Sequence, residues 1–242
     1  MIIDCVADLH GFKPKLQGGD LLIVAGDLTA RDEIDQYSEF FEWFTCQNYS
    51  NKILVAGNHD NEITKGLDFS FSDERIHYLE DSELEIEYEQ EIEEEHKFKG
   101  LISYKVKKKL KIWGSPYTPL FDGVHPKCKA FMLSISDLQK KVALIPEDID
   151  ILITHGPAMK INDKTIEGEH VGCVHLNRAI KKIQPILHVC GHIHEGYGID
   201  YLNKTISVNA SHVDWRYRPV NEPIRIIIDA NRKAQVGRFT EG

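Results

Sequence analysis

Five short apolar runs in this chain each end in a small cluster of Gly, Asp, Asn and His, and that repeated junction constrains the fold more than any other feature. Ile2 to Ala7 leads into Asp8-Leu9-His10, Leu21 to Ala25 into Gly26-Asp27, and Ile53 to Ala56 into Gly57-Asn58-His59-Asp60. Ile151 to Thr154 leads into His155-Gly156, and Ile186 to Cys190 into Gly191-His192-Ile193-His194. Short runs rich in Ile, Leu and Val, without polar alternation, read as buried strands. Ile206 to Asn209 and Ile224 to Ile228 read the same way. A helix is predicted over Asp32 to Cys46, where Ile34, Tyr37, Phe40, Phe41 and Phe44 recur at three-to-four spacing and Thr29 with Asp32 is placed to form a capping box. A second helix is predicted over Cys173 to Ile183, with Leu176, Ala179 and Ile180 on one side and a stop before Pro185. Strands alternating with helices indicate an α/β layered fold, and the lack of a Gly/Ser/Pro linker in 242 residues points to one domain, 1–242.

All five clusters fall at the C-terminal end of a predicted strand. In α/β sheets that edge is where ligand sites are built, so clusters far apart in sequence can converge. The adjacent glycines permit the tight turns that aim polar side chains into one crevice. Taken singly, Asp-x-His and Gly-Asp are common turn pairs. Jointly and at strand ends, they offer Asp8, His10, Asp27, Asn58, His155, His192 and His194 as candidate ligands. Imidazole, carboxylate and amide oxygen suit Mn, Fe, Co or Zn, and no cysteine stands in the clusters to favour a thiolate site. Seven donors exceed what one ion takes. They fit two divalent ions about 3.5–4 Å apart, with a bridging carboxylate and a shared hydroxide.

Composition removes other classes. The chain has 29 Lys+Arg against 38 Asp+Glu, net −9, so it has no basic field to draw in long nucleic acid. No apolar run approaches the roughly 18 residues of a membrane span, and the start MIIDCVADLHG lacks the pattern of a signal peptide. A cytoplasmic location without membrane attachment is therefore expected. Five scattered cysteines without a Cys-x-x-Cys pair argue against both a disulfide framework and a zinc–thiolate site. One segment departs from the rest. Glu80 to Glu95 holds ten acidic residues and no Lys or Arg, while Lys97 to Lys111 holds seven lysines and no acid. Both halves alternate charged with apolar residues, which predicts a charged β-hairpin at about 80–111, an acidic strand facing a lysine strand.

The motifs Asp8-x-His10, Gly26-Asp27, Gly57-Asn58-His59-Asp60, His155 and Gly191-His192-x-His194 resemble, in order and without omission, those of the calcineurin-like metallophosphoesterases. The stretches Trp113 to Pro119, Ile151 to Pro157, Gly191 to Gly198 and Val208 to Ser211 are similar to a narrower branch, the metallophosphoesterase-domain proteins akin to class III cyclic nucleotide phosphodiesterases. The resemblance implies an α/β fold, a four-layer αββα sandwich of two mixed sheets flanked by helices. It also implies that Asp8, His10 and His194 hold one metal, Asn58, His155 and His192 the other, and that Asp27 bridges them. His59 would assist the leaving oxygen or bind phosphate, with Asn58 also on the substrate.

The expected function is hydrolysis of a small phosphodiester, a cyclic nucleotide among the candidates, with Mn²⁺ as the expected metal and Fe, Zn or Co as alternatives. Phosphomonoesterase or nuclease activity on the same centre, or a non-catalytic metal-binding scaffold, are the competing readings; the oligomeric state is not legible. One departure from the Ser/Thr phosphatase branch bears on His59: the Asp that orients the histidine there is Ala30 here, followed by Arg31. Asp60 is then a candidate orienter by adjacency, and Arg31 a candidate phosphate clamp. Trp113, Tyr117, Tyr197 and Trp215 are candidates to stack a base.

Overall fold

The apolar runs form the strands of two sheets whose buried residues alternate between two cores. The computed structural model describes residues 1–67, 71, 73–96, 100–121, 123, 125 and 128–238, with the backbone alone for 93–96 and 100. In the first sheet β1 (Ile2–Val6), β2 (Gly19–Ala25), β3 (Tyr49–Val55) and β4 (Ile76–Tyr78) run parallel. Antiparallel β13 (Ile224–Ile228) and β14 (Ala234–Val236) complete the order β14-β13-β1-β2-β3-β4. The second sheet comprises β5 (Ser82–His96), β6 (Gly100–Ser115), β9 (Ile151–Thr154), β10 (Leu187–Cys190), β11 (Gly198–Leu202) and β12 (Thr205–Asn209), in the order β11-β12-β10-β9-β6-β5. A small two-stranded sheet pairs β7 (Thr118–Pro119) with β8 (Met132–Leu133).

Ile3, Cys5, Leu21, Ile23, Ile53 and Val55 face the second sheet, meeting Leu110, Ile112, Ile151, Ile153, Leu187 and Val189 in one buried core. Their even-numbered neighbours Val6, Leu22, Val24 and Leu54 pack outward on Tyr37, Phe40 and Phe44 of α1 (Ile34–Cys46). On the far side, Trp113 and Leu152 pack on Leu138 of α3 (Ile135–Val142) and on Leu176 and Ile180 of α4 (Val174–Ile183). A strand covered on both faces needs apolar residues throughout, which is why these runs lack alternation. The result is the expected four-layer αββα sandwich. Among the described residues, no helix is long and apolar enough to cross a membrane.

Two helix expectations need adjustment. The Thr29–Asp32 box does not cap α1: Asp32 N donates to Thr29 Oγ1 at 3.1 Å in the preceding turn, and the helix starts at Ile34 with no side-chain cap at Glu33. Helix α3, not anticipated, carries its own signal, since Ser134 Oγ accepts from Asp137 N at 3.2 Å. A one-turn helix, α2 (Asn61–Thr64), follows the third cluster.

The charged hairpin forms as β5 and β6 and runs slightly beyond its expected end, to Ser115. Its register sets Glu85, Glu87, Glu89 and Glu91 opposite Lys111, Lys109, Lys107 and Lys105. Lys109 Nζ reaches Glu85 at 2.6 Å and Glu87 at 3.5 Å, and Lys105 reaches Glu89 at 3.5 Å. Ile86, Tyr88, Leu110 and Ile112 point the other way, into the inter-sheet core. Exposed pairs of this kind fix register and blunt an open edge more than they add stability. Lys97 and Lys99 lie outside the described residues.

His188 is fully buried on β10, its Nε2 2.9 Å from Thr154 Oγ1 and its Nδ1 2.9 Å from Ser207 Oγ. Thr154 donates its own hydrogen to Gly156 O, so His188 Nε2 donates and Nδ1 accepts from Ser207, which is the neutral imidazole. Burial pushes its pKa down to about 3, whereas an unfolded histidine titrates near 6.5. Between those values the unfolded chain binds a proton that the folded chain refuses, so stability falls as pH drops below about 6.5, by roughly 1 kcal/mol per pH unit from this residue. Urea midpoints of chelator-treated protein should therefore decline less steeply between pH 7 and 5 in His188→Gln than in the parent. Equal slopes would contradict the assignment.

Candidate metal centre

Because β1, β2 and β3 are parallel in one sheet and β9 and β10 parallel in the other, all five polar clusters emerge at one edge of the sandwich, where the two sheets face each other. The turns that aim them are strained. Asp8, His10, Asp27 and His192 have φ of 49°, 42°, 55° and 69°, a left-handed conformation rare for residues with a Cβ and held only where the surroundings over-determine it. Two glycines give the room. A Cβ on Gly57 would stand 2.2 Å from Asp27 Oδ1, and one on Gly191 would stand 2.4 Å from Asp8 Oδ2.

Seven side chains converge as two sets. In the first, His10 Nε2 and His194 Nε2 lie 3.4 Å apart, and His194 Nε2 lies 3.8 Å from Asp8 Oδ1. In the second, Asn58 Oδ1 lies 2.9 Å from His155 Nε2 and 2.8 Å from His192 Nδ1. Asp27 stands between them, Oδ2 3.7 Å from His10 Nε2 and Oδ1 3.4 Å from His155 Nε2. Asp8, Asp27 and His155 are buried.

The hydrogen-bond inventory tests whether this arrangement suits cations. His155 Nδ1 lies 2.9 Å from Ala25 O, and His194 Nδ1 lies 3.1 Å from Asp214 O. A carbonyl only accepts, so both Nδ1 atoms carry hydrogen and both Nε2 atoms present lone pairs inward. Asn58 Nδ2 donates to Cys128 O at 3.0 Å, which turns its acceptor oxygen toward His155 and His192. His155 Nε2 thus faces Asn58 Oδ1 and Asp27 Oδ1, and His194 Nε2 faces Asp8 Oδ1, acceptor against acceptor in a buried space, an arrangement that repels itself unless a cation or added proton sits between them. Burial pushes the pKa of His10 to about 4 and that of His192 to about 3, leaving neutral imidazoles able to ligate. Burial alone would raise Asp27, but His155, His59 and His10, with the backbone N–H of His59, hold it well below the usual carboxylate range. For His155 burial disfavours charge, yet Asp27 and Asp8 outweigh it and push its pKa up. The donor set fits two divalent ions.

His59 stands at the same centre. Its backbone N–H donates to Asp27 Oδ1 at 2.9 Å, its Nε2 is 4.0 Å from Asp27 Oδ2, and its Nδ1 is 3.7 Å from Cys128 Sγ. Donor atoms of His10, Asp27 and His59 also lie within 4.8 Å of one another, so position alone leaves His59 a possible third ligand there. Asp60 is not its orienter. The Asp60 carboxylate turns away to accept from Gly57 N at 2.7 Å and from Asp27 N and Leu28 N at 3.0 Å, because adjacent side chains diverge at this turn. Burial and the charge of Asp27 push its pKa up to about 7 against those hydrogen bonds. Arg31 is not brought into the centre either: it is exposed, and its guanidinium lies 3.2 Å from Glu33 in an adjoining groove.

A cleft of about 340 Å³ opens over Asp27, Asn58, His59, His192 and His194, walled by Phe121, His125, Cys128, Glu195, Trp215 and Tyr217. Of the four aromatic candidates only Trp215 lines it. Trp113 packs under α3 and α4, Tyr117 bonds Glu80 through its hydroxyl, and the Tyr197 hydroxyl donates to Glu222 O. Tyr217 carries no sequence signal, because it sits on a loop without periodicity; the structure sets its ring 4.8 Å from that of His10 and 5.2 Å from that of His194.

The model of the calcineurin-like phosphoesterases matches residues 2–196. Metallophosphoesterase domain-containing protein 1 of Homo sapiens is 35% identical over 95% of this chain and 72% of its own length. UPF0046 protein T07D4.2 of Caenorhabditis elegans is 30% identical over 91% of this chain and 58% of its own. One solved structure superposes with a TM-score of 0.60 at 13% identity, covering 99% of both chains, a likeness of fold.

Asp60 ties the second and third clusters together, and this gives a test. Asp60→Ala would leave three buried N–H groups without an acceptor and should cost on the order of 3–5 kcal/mol in urea denaturation of the metal-free protein. A loss below about 1 kcal/mol would show that these contacts do not organise the centre.

Proposed function

The chain belongs to the calcineurin-like phosphoesterase family, and from that membership we propose that it is a dinuclear, metal-dependent hydrolase acting on a small phosphodiester. The observation that carries this reading is the pair of inward-facing acceptor sets that share Asp27. Asp8, His10 and His194 would hold one divalent ion and Asn58, His155 and His192 the other, with Asp27 standing between the two sets. Carboxylate, imidazole and amide donors suit Mn²⁺ first, with Fe, Zn or Co as alternatives. When bound, such ions polarise the phosphoryl oxygens and lower the pKa of water toward neutrality.

The protein's own residues supply the rest. Carbonyls of Ala25, Asp214 and Cys128 fix the orientation of His155, His194 and Asn58, so the donors need no rearrangement on binding. His59 lines the cleft with its Nε2 toward Asp27, and that nitrogen delivers the proton to the departing oxygen as the P–O bond breaks.

The lining of the cleft favours a diester over a monoester. Among the described residues no Lys or Arg lines it, and Glu195 adds negative charge. A monoester would bring a second negative charge to a cleft with no side-chain cation to meet it. The same lining and the net charge of −9 weigh against long nucleic acid. Its volume suits a small ligand, and a cyclic nucleotide is the first natural diester to try. The five unpaired cysteines support a reducing, cytoplasmic setting.

The test is hydrolysis of bis-p-nitrophenyl phosphate against p-nitrophenyl phosphate by chelator-stripped protein with and without Mn²⁺. Diester turnover should return with Mn²⁺ and fall at least about 100-fold in Asp27→Ala. Turnover that survives this substitution would contradict the shared carboxylate, and preference for the monoester would make the protein a phosphomonoesterase. His59→Ala should keep its metal and lose about 100-fold or more in kcat. Loss of metal instead would make His59 a ligand.

A further inference from the structure

A cleft that binds a phosphoryl group with no lysine or arginine among the described residues of its wall draws on other donors. Three guanidinium groups around it are already engaged: that of Arg216 lies over the Trp215 ring at 4.3 Å, that of Arg218 bonds the Asp214 carboxylate at 2.5 and 2.8 Å, and that of Arg31 pairs with Glu33 at 3.2 Å in the adjoining groove. One of the two Asn58 amide hydrogens is taken by Cys128 O. Tyr217 lines the cleft, and its hydroxyl has no hydrogen-bond partner among the described residues.

The loop that presents Tyr217 is built for one position. A bridge between Val213 and Pro219 closes its base, and within it Asp214 N donates to Arg218 O at 2.9 Å while Tyr217 N donates to Asp214 O at 2.8 Å. The Asp214 carboxylate accepts from Arg216 N and Arg218 N, both at 2.9 Å, as well as from the Arg218 side chain. This turn forces Tyr217 to φ 58°, a conformation costly for a residue with a Cβ. The carbonyl of Asp214 that holds Tyr217 N also receives Nδ1–H of His194, so one oxygen ties the tyrosine loop to the centre. The ring stands edge-on against His10 at 4.8 Å and His194 at 5.2 Å, with His59 at 6.2 Å. Tyr217 lies beyond residue 196, where the match to the family model ends.

We infer that Tyr217 is a substrate-binding residue whose phenolic O–H donates a hydrogen bond to a non-bridging phosphoryl oxygen, filling the place that a cationic side chain takes in sites for doubly charged phosphates. The inference rests on the phosphoesterase reading for its substrate, but anion binding by the hydroxyl does not require turnover. A neutral donor meets a singly charged diester without the excess attraction that would favour a monoester or trap its product. Tyr217 then tunes the centre toward diesters, and Trp215 and Phe121 wall the space left for the leaving group.

The experiment compares parent, Tyr217→Phe and Arg216→Ala, all loaded with Mn²⁺ and assayed for metal content. Binding of inorganic phosphate is measured by calorimetry, and bis-p-nitrophenyl phosphate hydrolysis by kcat and KM. Tyr217→Phe removes one oxygen, and at full metal content it should weaken phosphate binding and kcat/KM for the diester by about 10-fold to 100-fold. Tyr217→Arg should raise the monoester-to-diester ratio of kcat/KM by about 10-fold or more. The assignment is overturned if Tyr217→Phe binds phosphate within about twofold of the parent, if it loses metal, or if Arg216→Ala carries the loss instead. A parent that turns over neither ester, yet loses phosphate affinity in Tyr217→Phe, would refute the phosphoesterase reading and leave Tyr217 an anion-binding residue.

Discussion

Lone pairs facing lone pairs in a buried space are the constraint on which the rest of this structure depends. His155 Nε2 stands 2.9 Å from Asn58 Oδ1 and 3.4 Å from Asp27 Oδ1, and His194 Nε2 stands 3.8 Å from Asp8 Oδ1. Burial makes such a gathering costly when it is uncompensated, so the surrounding fold exists to hold it. Four left-handed turns, glycines under Asp8 and Asp27, and three backbone carbonyls that fix His155, His194 and Asn58 all serve that end. Divalent cations turn the same repulsion into attraction. Two sheets meeting at one edge let residues as distant in sequence as Asp8 and His194 share a site.

Much of this was legible before any coordinates. Strands such as Ile151–Thr154 and the Leu21 to Ala25 part of β2 are readable because covering both faces demands apolar residues throughout. The convergence of the five clusters follows from their common place at strand ends. The charged hairpin was readable from period-two alternation, and its register bears out the acidic strand opposite the lysine strand.

What escaped has a common cause, dependence on tertiary placement. Asp60 follows His59 in sequence, yet the turn sends its carboxylate to Gly57, Asp27 and Leu28, where it braces two loops. Thr29 and Asp32 have the spacing of a cap but sit in the turn before α1, whose start is set by packing of Tyr37, Phe40 and Phe44. Tyr217 has no periodic neighbours, and its position over His10 exists only once Asp214 has folded its loop and bonded His194. Helix α3 has a legible start, since Ser134 and Asp137 form an N-terminal signature three residues apart, but at about two turns it is too short for its apolar positions to show a period.

The central claim is that two cations share Asp27, and it is tested most directly by counting and coupling them. Chelator-stripped protein titrated with Mn²⁺ should bind two ions per chain. Its electron paramagnetic resonance spectrum should be that of an exchange-coupled pair, with the coupling lost in Asp27→Asn. A single Mn²⁺ per chain, or two with spectra of isolated ions in the unaltered protein, would contradict the shared site.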